Sequence, residues 1–123
     1  MAQIAKLMVS EPVRVDARRV TDIVTELGET AAQHVIGLAL EQLASALMLV
    51  ERAAQDGDMA GLVGHADRMA RLAWQIGLLS LAGVAMDLGA AADRGDQAAL
   101  TAIQARLMRI GNRSLTAIWD RSA

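Results

Sequence analysis

The side chains best equipped for chemistry crowd into one stretch, GDMAGLVGHADRMARLAWQIG over residues 57–77, which holds His65, Asp67, Arg68, Arg71 and Trp74. A neutral imidazole nitrogen is a usable nucleophile near pH 7, because histidine's ordinary pKa of about 6.5 leaves it largely uncharged there. The carboxylate of Asp67 is a weaker nucleophile, and Arg71 follows it by four residues, one helical turn. That spacing suits an exposed ion pair worth about 0.3–0.5 kcal/mol. Trp74 stands two turns beyond Asp67. Tryptophan is enriched among partner-binding anchors, which gives Trp74 two readings: a partner's anchor, or cover for the edge of a core.

Other chemical candidates are few. His34 falls beside an apolar stripe with Glu41 two turns on, but no histidine or cysteine stands at its i+4 position, so no metal site is expected there. The chain has no cysteine, which removes disulfides and thiolate metal ligands. The methionines fall at core spacing and make no cofactor box. There is no glycine-rich phosphate loop, nucleophile elbow, His-Glu-x-x-His or paired-carboxylate motif, so neither a metal nor a cofactor is expected.

The element that positions the candidates is a helix over 57–77. Met59, Leu62, Val63, Ala66, Met69, Ala70, Ala73 and Ile76 recur at the intervals of three and four that mark a half-buried helix. Gly57-Asp58 opens it and Ile76-Gly77 closes it. Two residues on a helix turn a side chain by about 200°, so His65 and Asp67 cannot share a face. With the apolar stripe inward, His65 and Leu72 lie on one flank and Asp67, Arg71 and Trp74 on the other.

Four further helices are expected. Asp16 caps the first, with Val20, Ile23, Val24 and Leu27 inward and Gly28 as its stop; a long helix over 29–55 follows. After the 57–77 helix, Ser80 caps one running to about 94, with Leu81, Val84, Ala85, Leu88, Ala91 and Ala92 inward. Gly95-Asp96 turns the chain into a last helix over 97–119, which Gly111-Asn112 is expected to bend or interrupt, both being poor helix formers. Short turns between long helices force antiparallel neighbours. The expected fold is all-α: an up-down antiparallel four-helix bundle over 16–123 with a short extra N-terminal helix across one end, preceded by an arm over 1–15. Leu38, Met48 and Leu49 lie off the main stripe of the 29–55 helix, as a homodimer contact or as packing against that arm.

Composition agrees. Hydrophobic residues make up 54% of the chain and aromatic residues 2%, so the core is Leu, Ile, Val, Met and Ala, which suits close-packed helices better than sheets. The net charge is −2 with both signs scattered, which lacks the basic stripe of a nucleic-acid binder. The longest uncharged run, 72–86, is short of the roughly 20 residues of a membrane span. Residues 1–11 carry Lys6 and lack the apolar core of a signal peptide. The expectation is a cytoplasmic protein bound to neither membrane nor nucleic acid.

The framing of the 57–77 helix resembles the central helix of histidine-containing phosphotransfer (HPt) domains, which pass a phosphoryl group between response regulators. The family pattern there is Gly-Asp, about eight residues, His-x-x-Lys-Gly, and a closing Ile/Leu-Gly. Leu27-Gly28, the long second helix, Gly57-Asp58, Ile76-Gly77 and Gly95-Asp96 follow in the family's order. Counted back from Gly77, the resemblance puts Asp67 at the phosphoacceptor, Ala70 at the lysine and Arg71 at the glycine. It implies a response-regulator receiver or a sensor histidine kinase as partner, met through Gly64, Asp67, Arg68, Arg71 and Trp74. The expected role is a docking protein of two-component phosphorelay signalling, not an enzyme, that carries no phosphate at the usual position. One alternative is active phosphotransfer from His65 in a shifted register, with Arg68 at +3 and Met69 at +4. Another is an oligomerising bundle with no receiver partner.

Overall fold

Asp16 caps the first helix. Its carboxylate accepts hydrogen bonds from the backbone N–H groups of Arg18 and Arg19 at 3.1 and 3.4 Å, occupying donors that a helix start otherwise leaves bare. In the computed structural model, which describes residues 12–120, five helices follow: α1 (Ala17–Leu27), α2 (Glu29–Asp56), α3 (Met59–Gln75), α4 (Leu79–Arg94) and α5 (Gln97–Asp120). Most of the expected arm, residues 1–11, lies outside the described residues, as do residues 121–123.

Helices α2 to α5 pack as a ring, α2 on α3, α3 on α4, α4 on α5 and α5 back on α2, with α3–α4 the most extensive pairing. This is the expected up-down bundle, with α2 and α4 diagonal to each other. The two Gly-Asp turns use one device: Asp58 accepts from the N–H of Gly61 at 2.9 Å, and Asp96 from that of Ala99 at 3.1 Å. The shared core is aliphatic. Leu43, Leu62, Met69, Leu81, Leu88 and Leu107 are all fully enclosed.

α1 crosses the end of the bundle where α3 turns into α4. Gly77 makes that turn at φ +82°, and its carbonyl accepts the N–H of Asp16 at 2.7 Å. Arg19 donates through Nε to the carbonyl of Gln75, also at 2.7 Å. Val15 and Leu78 form an isolated antiparallel bridge, so the segment before α1 is stitched to the α3–α4 turn by main chain.

Three expectations need correction. Leu27 does not face inward: as the last residue of α1 it is 47% exposed. Ser80 does not cap α4: the helix begins at Leu79, and the Ser80 hydroxyl accepts the N–H of Arg14 at 2.7 Å instead. The carbonyl of Arg14 in turn takes the N–H groups of Leu79 and Ser80, so another strand of backbone caps the helix. Nor does Gly111 interrupt α5, which runs unbroken past it. Gly111 is buried, and a Cβ placed on it would lie 2.9 Å from a methyl of Leu47. The glycine sits there so that α5 can approach α2, a packing need that outweighs its poor helix propensity.

α2 is long and apolar enough, by length and composition, to cross a membrane, although no uncharged run in the sequence marks it. In the bundle it buries Ala32, Ile36, Leu43, Ala46, Leu47 and Val50 against its neighbours and leaves much of its other side outside.

Candidate functional site

α3 places its chemistry-bearing side chains by rotation. Leu62, Ala66, Met69, Ala70 and Ala73 face inward and fix the opposite side as the exposed one. Asp67 and Arg71 emerge there, one turn apart, and pair at 3.1 Å. Their side chains are 65% and 71% exposed, so water screens the pair on most sides. Gly64 and Arg68 are exposed beside them. His65 is half-buried on the other flank with Leu72, as the helical angle requires.

Trp74 is 66% exposed, which overturns its reading as cover for the core edge. Across from it on α4 stands Met86, 64% exposed. The two flank a groove of about 350 Å³ whose floor is Ala70 and Ala82 and whose rim carries Asp67 and Arg71. A second groove of about 390 Å³ shares Asp67, Ala70 and Met86 and continues past Gly89 to Asp93. Together they form one channel along the α3–α4 seam. It exists because the seam is built from small residues. A Cβ on Gly89 would lie 3.7 Å from that of Ala66, an ordinary contact.

The structure thus brings Asp67, Ala70, Arg71 and Trp74 to one groove, and leaves His65 out of it. Ala70 is only 8% exposed and forms floor, not rim. Sequence reasoning missed the α4 half: Met86, Ala82, Gly89 and Asp93. Met86 left one usable signal, since it is a large apolar residue off the inner set Leu81, Val84, Ala85, Leu88, Ala91 and Ala92. The site holds an ion pair, two exposed hydrophobic side chains and a small-residue groove. Such a surface is equipped for contact with another protein; tryptophan and methionine are enriched at such contacts. Among the described residues no group of histidines and carboxylates is spaced to hold a metal, and His34 stands exposed on α2.

The antiparallel bundle has the fold seen in histidine-containing phosphotransfer proteins. A solved example is histidine-containing phosphotransfer protein B (HptB) from Pseudomonas aeruginosa PAO1, whose crystal structure matches with a TM-score of 0.79. The match covers 87% of this chain and 92% of that one at 20% sequence identity, a likeness of fold. No protein-family model and no curated protein matches the sequence.

Proposed function

We propose that this chain is a docking protein of two-component phosphorelay signalling, which binds a response-regulator receiver or a sensor kinase through the exposed side of α3 and the α3–α4 groove. One observation carries the reading. Counted ten residues back from the Gly77 turn, the position the family resemblance gives to its phosphoacceptor falls on Asp67, which pairs with Arg71 at 3.1 Å. A carboxylate there has little to offer as a phosphoryl acceptor. It would meet the acidic pocket of a receiver as a like charge, a repulsion of about 1 kcal/mol at 4 Å in water and more near a protein surface. Arg71 offsets that charge, and Trp74 and Met86 supply the apolar contact, so docking survives where transfer does not. The cytoplasm is the compartment this role requires.

The test is to incubate the protein with a panel of phosphorylated receivers and to measure both binding and phosphate transfer. Binding without an acid-labile phosphoryl adduct is the expected result. An adduct that disappears in His65→Ala would overturn the docking reading in favour of transfer from His65. Absence of binding to every receiver, phosphorylated or not, would leave a bundle whose business lies with other partners.

A further inference from the structure

The geometry points to a second binding surface on α2, whose occupant is another copy of this chain. The side of α2 turned away from the core carries a row at alternating intervals of four and three: His34, Leu38, Glu41, Ser45, Met48, Arg52 and Gln55. Every member is exposed, Leu38 by 46% and Met48 by 71%. Leu49, 40% exposed, and Val35, 42% exposed, widen the row on one side. This spacing lets one helix lie along another over several turns.

The row is complementary to itself. When a second α2 is laid antiparallel about a two-fold axis between residues 46 and 47, Glu41 falls opposite Arg52 of the second copy, and Arg52 opposite its Glu41. In the same register Met48 falls on Ser45 of the second copy, large against small, and Leu38 on the methylenes of Gln55. Each of these contacts occurs twice, as a two-fold interface demands. Neither Glu41 nor Arg52 forms an ion pair with its own chain among the described residues, so both charges are available. A parallel pairing would set Glu41 on Glu41 and Arg52 on Arg52 and align the two helix dipoles, which opposes it.

The overlap of the two rows, residues 38–55, is about 27 Å long. A single-helix contact of that length falls at or below the roughly 1,200 Å² at which stable interfaces begin, so the dimer is reversible and depends on concentration. This inference does not rest on the receiver reading, because α2 stands diagonal to α4 and its outer row takes no part in the α3–α4 groove.

Sedimentation velocity over a concentration series tests it on the full chain, with circular dichroism to verify that each variant stays helical. The wild type is expected to shift from monomer to dimer. Glu41→Arg and Arg52→Glu, each reversing two contacts per dimer, are expected to weaken association at least about tenfold. An equimolar mixture of the two variants is expected to restore it, because every pair then joins opposite charges, and the double variant Glu41→Arg/Arg52→Glu is expected to dimerise like the wild type. A wild type that stays monomeric throughout overturns the inference. So does a dimer that neither single reversal weakens, or one that the mixture fails to restore.

Discussion

At the scale of single residues, the ion pair at the centre of the site contributes little to stability. Asp67 and Arg71 are mostly in water, so Asp67→Asn or Arg71→Ala should change unfolding free energy by no more than about 0.5 kcal/mol, or about 2 °C in Tm. Thermal melts check this; a larger loss would mean that the pair is structural. The chemistry should respond far more than the stability. Asp67→His with Ala70→Lys and Arg71→Gly writes the family motif at the positions proposed by counting back from Gly77. Ala70 lines the groove floor, so a lysine stem there can lie along the channel with its head in water. Glycine at the exposed position 71 costs about 1 kcal/mol of helix propensity, which a folded bundle tolerates. The expected outcome is an acid-labile phosphoryl adduct on the triple variant when it meets a phosphorylated receiver, and none on the wild type. A folded triple variant that takes no phosphate would show that the register drawn from Gly77 is wrong.

At the scale of helices, two glycines decide how the elements meet. Gly77→Ala forces an L side chain into φ +82° and sets its Cβ 2.9 Å from the backbone oxygen of Asp16, which has no rotamer by which to yield. A loss of about 2 kcal/mol or more in denaturant unfolding is expected. Gly111→Ala is subtler, because alanine gains up to about 1 kcal/mol of helix propensity while crowding Leu47 costs about 1–3 kcal/mol. A net loss is expected in the wild type and a net gain in a Leu47→Ala background, and a double-mutant cycle that shows no such reversal would dismiss the close approach as the reason for the glycine. These positions also show what was legible beforehand. Helix order, the glycine turns and most inward faces followed from a 3.6-residue period and from caps, both local signals; Leu27 kept the period but stands 47% exposed at the last residue of α1. Ser80 was misread because its hydroxyl bonds to Arg14, 66 residues away, and Gly111 because its partner lies on another helix. Asp67, Arg71 and Trp74 could be placed on one flank from their angle alone. Whether a neighbour covers Trp74, and that Met86 stands across the groove, depend on how α3 meets α4, which no local pattern records.

At the scale of the molecule, the large exposed apolar side chains among the described residues fall in two regions. Trp74 and Met86 mark the α3–α4 groove, while Leu27, Val35, Leu38, Met48 and Leu49 lie on α1 and α2. Contiguous exposed apolar surface is the usual signature of a binding site. Two separate patches therefore predict two separate binding events, and α2 and α4 stand diagonally in the ring. A receiver in the groove and a second copy on the outer row of α2 need not compete, so a dimer would present two grooves. The consequence is a double dissociation. Trp74→Ala should cost receiver binding about 2 kcal/mol, some thirtyfold in Kd, as truncation of an anchor does, and leave self-association unchanged. Glu41→Arg should weaken the dimer at least about tenfold and leave the receiver Kd per chain within about twofold, because distant sites without shared partners act additively. Calorimetric titration of the receiver into each variant, beside sedimentation of each variant alone, measures all four quantities. If Trp74→Ala weakened the dimer, or Glu41→Arg weakened the receiver complex, the two patches would belong to one interface, and the assignment of α3 and α4 to the receiver would have to be redrawn around α2.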